Sequence, residues 1–178
     1  MAKILVPLAE GFEEIEAFTI IDVLKRGGIE VEISGLNGNI ITGAHGVRVH
    51  TESRIVDIDN ITHDGIAIPG GPGYKNLMNS DRFKKIVELM AKHDKLVCAI
   101  CAAPLILAKM GLLEGKRATI YPGMEKELDM PRSDKVVVDG NFITSQGPGT
   151  AIEFSLKIVE KLVGQQQASL IRKQLVVD

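Results

Sequence analysis

KLVCAICAAPLILAKM, residues 95–110, is the stretch on which the fold turns. Leu96 to Ile100 is a short, almost unbroken apolar run, the pattern of a strand buried on both faces of a parallel sheet. From Ala102 onward the residues are small, Pro104 suits a first helical turn, and Leu105, Ile106 and Leu107 suit a buried helix. Cys101 falls at the junction. A side chain on a tight strand-to-helix turn is pushed out at the top of the sheet, over the positive end of the helix, where unpaired amide N–H groups can hold an anion. That setting predicts a thiol of lowered pKa and raised reactivity. The plain alternative is a space-filling cysteine, since free cysteine is among the most buried residue types. Its place at a strand's C-terminal end favours function, because ligands of open α/β sheets bind there.

Upstream, Lys3–Leu8 (KILVPL) is a buried strand and Ala9–Gly11 its connecting loop. From Phe12 the residues Ile15, Phe18, Ile20, Val23 and Leu24 recur at helical spacing, and Lys25-Arg26-Gly27-Gly28 closes the helix with cations and a glycine stop. Ile29–Ser34 alternates as a second strand, making a βαβ unit and hence a parallel sheet. Residues 36–64 differ in texture: Asn37-Gly38 is a hairpin signal, short β-like pieces follow around Ile40-Ile41 and Val47–His50, and Asp57–Asp64 is a polar connection. We read them as a small β excursion at one edge of the sheet. Gly65–Pro69 returns as a core strand, and Asp81–His93 is an amphipathic helix through Phe83, Ile86, Val87 and Met90. Beyond the opening stretch lie a short strand near Ala118–Tyr121 and a hairpin of Val136–Val138 with Asn141–Ser145 about Asp139-Gly140. A helix over Ala151–Val163 and a shorter one toward Leu175 complete the chain. Strands alternating with helices predict a three-layer α/β sandwich on a mostly parallel sheet, and 178 residues fit one domain, 1–178.

Composition narrows the function classes. Aromatics are 4% and Trp is absent, so there is no stacking platform for nucleic acid, and a net charge of −2 argues against a polyanion-binding surface. No apolar run approaches the ~20 residues that span a bilayer, and Met1-Ala-Lys3 leads into a strand, so no membrane association is expected. Two cysteines give no disulfide framework and suit a cytoplasmic location.

Several constellations could carry chemistry. Cys98 and Cys101 form a C-x-x-C, but Cys98 lies inside the strand, and three extended residues span about 10 Å, too far for a disulfide. Without a second cysteine pair or suitably spaced histidines, no metal site is expected. Glu13, Glu14 and Glu16 begin the first helix, where carboxylates compensate the dipole; that reading suits Glu13 and Glu14. Glu16 can turn toward the sheet top, where a glutamate buried beside a thiol should be protonated and share its proton with the sulfur. Gly70-Gly71-Pro72-Gly73 after a core strand either offers backbone N–H groups to an oxyanion or is a structural turn. No phosphate-loop or dinucleotide fingerprint is present. The histidines His45, His50, His63 and His93 fall in predicted loops, the excursion or a helix end, and none adjoins Cys101.

At these residues the chain resembles the ThiJ/PfpI superfamily, in the branch around the parkinsonism-associated DJ protein and bacterial YajL. The resemblance runs over nearly the whole chain and rests on Glu13-Glu14-Ile15-Glu16, Pro69-Gly70-Gly71, Ala99–Pro104 and Ser145-Gln146-Gly147-Pro148-Gly149-Thr150, in that order. It implies a flavodoxin-like fold, a homodimer with its site near the interface, and no cofactor. It places the reactive cysteine on Cys101, the conserved glutamate on Glu16 and the oxyanion glycine on Gly71, working with the backbone amide of Cys101. Gly70, Ala102, Tyr121, Gly147 and Pro148 would line the substrate site, and Arg26 would reach the neighbouring subunit's site. Two departures matter. Protease-like members carry a histidine directly after the cysteine; Ala102 here disfavours peptidase activity. Members acting as glyoxalases or deglycases often carry a histidine before a proline where this chain has Tyr121-Pro122, and a tyrosine with pKa near 10 is a poor base at neutral pH.

The resemblance implies two functions of different class. One is a glyoxalase or protein deglycase, with the Cys101 thiolate adding to small aldehydes or to early glycation adducts of proteins and Glu16 moving the proton. The other is a redox-sensing, chaperone-like protein of oxidative stress, in which Cys101 is oxidised to the sulfinic acid and held by protonated Glu16.

Overall fold

The computed structural model describes residues 1–177. The elements run β1 (Lys3–Leu8), α1 (Glu14–Arg26), β2 (Glu30–Gly35), β3 (Ile40–Thr42), β4 (Arg48–His50), β5 (Ser53–Arg54) and β6 (Gly65–Ile68). There follow α2 (Tyr74–Met78), α3 (Asp81–Lys92), β7 (Leu96–Ile100), α4 (Pro104–Lys109), β8 (Arg117–Ala118) and β9 (Met130–Pro131). The chain closes with β10 (Val136–Asp139), β11 (Phe142–Ser145), α5 (Ala151–Leu162) and α6 (Gln165–Gln174). The central sheet has seven strands in the order β10-β11-β7-β6-β1-β2-β5. All its pairs are parallel except β10 with β11.

The pleat explains why the central strands are apolar throughout, since successive side chains feed two separate cores. On one face Ile4, Val6, Leu8, Cys98 and Ile100 pack with Ile20, Val23 and Leu24 of α1 and Phe154, Ile158 and Val159 of α5. On the other, Leu5, Ile66, Ile68, Val97 and Ala99 pack with Phe83, Ile86, Val87 and Met90 of α3 and with Leu105–Leu107 of α4. Helices on both faces make the three-layer α/β sandwich, and small two-stranded sheets, β3–β4 and β8–β9, flank it. Among the described residues no helix is long and apolar enough to cross a membrane.

The structure differs from the sequence reading at four places. Asn37-Gly38 joins β2 to β3, which do not pair; the antiparallel hairpin is β3–β4, closed by residues 43–47. That hairpin springs from the sheet edge but folds back over the loop after β1, through Gly11 N–H to Thr42 O (2.8 Å) and Ala44 N–H to Phe12 O (2.8 Å). The strand expected near Ala118–Tyr121 ends at Ala118, because the chain then bends so that Thr119 N–H reaches Thr144 Oγ1 and Tyr121 N–H reaches Cys101 O. On α1 the inward face carries Glu14, Glu16, Ala17, Ile20, Val23 and Leu24, whereas Ile15 (58% exposed) and Phe18 (40%) face outward.

Candidate active site

Cys101 follows the last residue of β7 at φ +64°, a left-handed conformation that costs a non-glycine residue about 1–3 kcal/mol and is held only by its surroundings. Two backbone bonds hold it: Cys101 N–H donates to Ser145 O at 3.0 Å, and Cys101 O accepts from Tyr121 N–H at 2.9 Å. This corrects one expectation. The Cys101 amide is engaged by β11 and cannot serve an oxyanion; the N–H groups that point at the sulfur belong to Gly71 and Ala102.

Glu16, in the first turn of α1, is fully buried. One carboxyl oxygen, Oε2, accepts from Gly70 N–H at 2.7 Å. The other, Oε1, has no hydrogen-bond partner among the described residues, and the Cys101 thiol is the neighbouring group that favours the charged carboxyl alongside the Gly70 N–H. Gly70 is therefore a steric requirement, its N–H being spent on Glu16. A Cβ there would lie 2.6 Å from Cys101 Cβ and 2.9 Å from Glu16 Oε2. Gly71 sits at φ +82°, where a Cβ would come within 2.5 Å of Glu13 N.

Burial pushes the Glu16 carboxyl from an ordinary 4.5 up to about 7, against the opposing pull of the Gly70 N–H and the Cys101 thiol. Burial, then the charge of Glu16, pushes the Cys101 thiol up to about 12, against the N–H groups of Gly71 and Ala102. The expected lowering of the thiol pKa is thus reversed: the sulfur is desolvated, and a carboxylate faces it. The two groups titrate as a pair. When the proton rests on Glu16, the charge opposing the thiolate disappears and the sulfur faces two amide donors. A buried thiol, a carboxyl poised near neutrality and two N–H donors are the parts that addition to a carbonyl followed by proton transfer requires.

The other expected residues are placed as follows. Tyr121 is half exposed, and its ring lies against Gly147, whose Cβ would meet it at 3.5 Å. Pro148 opens the short 3-10 turn after Gly147, on the same rim. Arg26 is ten residues along α1 from Glu16, about 15 Å at the helical rise, and its Nε pairs with Asp22 Oδ2 at 2.7 Å. It does not reach the Cys101 of its own chain. Cys98 is a free, buried residue of the core.

Sequence reasoning missed Glu14 and His45. Glu14 is buried rather than a surface dipole partner: Oε1 accepts from His45 N–H (2.7 Å) and Val47 N–H (3.4 Å), and Oε2 pairs with His45 Nδ1 at 2.8 Å. Burial would raise its pKa, but these bonds hold the carboxyl below the ordinary range, while Glu14 in turn raises that of His45. The signal available was three carboxylates in one helical turn, more than a dipole needs. Ligand atoms of Glu13, Glu14 and His45 lie within 4.8 Å of one another, the one such group among the described residues. At the positive end of α1 a cation is disfavoured, and the imidazole already occupies Glu14.

Known proteins share this fold and much of this sequence. A family model described as the DJ-1/PfpI family matches residues 2–161. Protein dj-1beta of Drosophila melanogaster is 40% identical over 97% of this chain and 96% of its own length. The glutathione-independent glyoxalase DJR-1.2 of Caenorhabditis elegans is 37% identical over 98% and 95%, and a Pyrococcus abyssi deglycase is 30% identical over 90% and 99%. The chain spans 41% of the length of Protein DJ-1 homolog B of Arabidopsis thaliana, to which it is 38% identical across 98% of its own residues. Among solved structures, oxidized Toxoplasma gondii DJ-1 superposes with a TM-score of 0.96 at 39% identity, covering 99% of both chains. With the match running from the first strand through α5, this chain belongs to the DJ-1/PfpI family.

Proposed function

We propose that this protein is a cofactor-independent, cysteine-dependent enzyme acting on reactive carbonyls, of the glyoxalase or deglycase type. The observation that carries the reading is the buried Glu16–Cys101 pair, with Gly71 and Ala102 N–H groups aimed at the sulfur. With methylglyoxal, the Cys101 thiolate adds to the aldehyde carbon, and the alkoxide takes the proton held by Glu16. Glu16, now a carboxylate, removes the C1 proton of the hemithioacetal and delivers it to C2 through an enediol. The product is a lactoyl thioester, which water hydrolyses to lactate and free thiol. Oxidation at C1 balances reduction at C2, so the chemistry calls for no external redox partner. The names of the worm glyoxalase and the archaeal deglycase support this class. Early adducts of aldehydes on protein side chains present the same hemiacetal-type carbon. A free thiol suits a reducing, cytoplasmic setting. The exposed Ile15, Phe18 and Val47, clustered about the start of α1 and the 43–47 turn, support a homodimer on that face. Arg26 is then the residue to reach a neighbour's site.

A second reading has its own support. The N–H groups at the sulfur would also hold sulfinate oxygens, and the similar Toxoplasma structure is described as oxidized. In this reading two equivalents of peroxide, each reduced to water, carry the Cys101 thiolate to the sulfinic acid, giving an oxidative-stress sensor with chaperone-like action. Lactate release from methylglyoxal by wild type, Cys101→Ser, Glu16→Gln and Tyr121→His decides between the two. Many turnovers per site, lost in the first two variants, are expected. Absence of turnover with clean addition of two oxygens at Cys101 would leave the sensor alone.

A further inference from the structure

Ser145, whose carbonyl takes the Cys101 amide, is fully buried at the end of β11. Its hydroxyl lies 2.7 Å from Lys135 O, just ahead of β10, and 2.6 Å from Thr150 Oγ1, just ahead of α5. Thr150 Oγ1 in turn accepts Gly147 N–H at 3.1 Å and lies 2.9 Å from Gly147 O. Each hydroxyl has one proton to give, so the two cannot serve one another, Lys135 O and Gly147 O together. Gly147 O already accepts Thr150 N–H at 2.9 Å, whereas Lys135 O otherwise receives the longer Gln146 N–H bond, 3.3 Å. The bonds therefore run one way: Gly147 N–H to Thr150 Oγ1, Thr150 O–H to Ser145 Oγ, and Ser145 O–H to Lys135 O. Together they set the Ser145–Gln146 peptide plane, fastened to Lys135 on one side and to Cys101 on the other. None of these groups belongs to the start of α1 or to the 43–47 turn.

We infer that Thr150 and Ser145 are positioning residues for the reaction at Cys101: their hydroxyl chain fixes the peptide whose carbonyl keeps Cys101 in its left-handed turn, with the sulfur facing Glu16 and the Gly71 and Ala102 amides. The inference rests on the reading of Cys101 and Glu16 as the reacting pair, and adds two hydroxyls that bond to neither of their side chains. The physical need is the strain at Cys101. A non-glycine residue at φ +64° relaxes unless its neighbours over-determine it, and the Ser145 carbonyl is one of the two backbone contacts that do so. Ser145 is the last residue of its strand, so the sheet ladder stops there and side-chain hydroxyls carry the restraint onward into the turn.

The test compares wild type, Thr150→Val, Thr150→Ser, Ser145→Ala, and a double variant carrying Ser145→Ala with Thr150→Val. Four quantities are read: the pH profile of Cys101 alkylation by iodoacetamide, amide hydrogen exchange, lactate release, and mass in solution by sedimentation at the assay concentration. In Thr150→Val and Ser145→Ala, exchange should rise at Cys101 while Val97 to Ala99, inside β7, stay protected. With sulfur and carboxyl no longer coupled, the alkylation inflection near pH 7 should fade, and alkylation should rise only with ordinary thiol ionisation above about pH 8. Lactate kcat should fall at least about tenfold with KM little changed, as misplacement of reacting groups does. Thr150→Ser, which keeps the hydroxyl, should restore most of each. The double variant should do no worse than the poorer single one, because either substitution breaks the same chain. Three results would each overturn the inference: a wild-type alkylation profile in folded Thr150→Val, losses that add in the double variant, or a defect that disappears at protein concentrations restoring the wild-type mass. If Thr150→Val does not fold, Ser145→Ala decides alone. If wild type releases no lactate, the enzymatic reading fails by itself, and alkylation and exchange still judge the hydroxyl chain.

Discussion

Replacing Glu16 by glutamine should make this protein more stable above neutral pH and leave it little changed in acid. The carboxyl is fully buried, and burial raises its pKa from an ordinary 4.5 to about 7. Between these values the unfolded chain has released the proton and the native state retains it, so stability falls as pH rises. The contribution is complete below pH 4.5, is lost progressively up to about 7, and stays lost above. At about 1.4 kcal/mol per unit, the gap amounts to about 3 kcal/mol, a large fraction of a typical folding free energy. Glutamine keeps an oxygen for the Gly70 N–H and carries no ionisable group. The difference in unfolding free energy between variant and wild type should therefore open by about 3 kcal/mol from pH 4.5 to pH 8. In urea this is a relative midpoint shift of about 1–2 M. Staying below pH 8 avoids the Cys101 thiol, whose titration lies higher. Titrations elsewhere in the chain cancel in the difference. A pH-independent difference across that window would refute the claim that Glu16 is held protonated by burial.

Two further outcomes follow from the geometry. Gly70→Ala should abolish carbonyl turnover and cost about 1–3 kcal/mol, since its Cβ would lie 2.6 Å from that of Cys101; a variant with wild-type turnover and urea midpoint would contradict the packing described. His63 is buried beside Glu32, at 3.1 Å, with Lys3 and Glu30 also facing it; burial lowers its pKa despite the acidic neighbours. The neutral form is thus favoured in the native state, and its stability contribution, complete above the ordinary 6.5, declines as pH falls toward the lowered value. His63→Phe should flatten the stability profile below pH 6.5, and an unchanged acid slope in urea melts would count against this.

The apolar runs at Leu5, Ile66 and Val97 and the helical spacing through Phe83, Ile86, Val87 and Met90 were enough to determine the α/β sandwich. Period and length are local properties, and strands this apolar need cover on both faces. The same logic located Cys101 at a strand end, and the motifs around Glu16 and Gly71 named its partners. What lay beyond local reading was decided by contacts distant in sequence. Ser145 on β11 takes the Cys101 amide, so the donors at the sulfur are Gly71 and Ala102. The direction of the thiol's pKa depends on how deeply packing buries it and on the charge of a carboxyl 85 positions away, neither of which is encoded in its neighbours. Asn37-Gly38 satisfies a turn preference, yet β2 already has β1 and β5 on its two edges, so the hairpin forms farther along, at 43–47. Glu14 and His45, 31 positions apart, meet because that hairpin folds back over α1. Sequence by itself specified most of the elements and put Cys101 at the end of a buried strand; the tertiary structure chose which amides, carboxyls and turns surround it, because hydrogen-bond partners and dielectric environment are set by the whole packed chain.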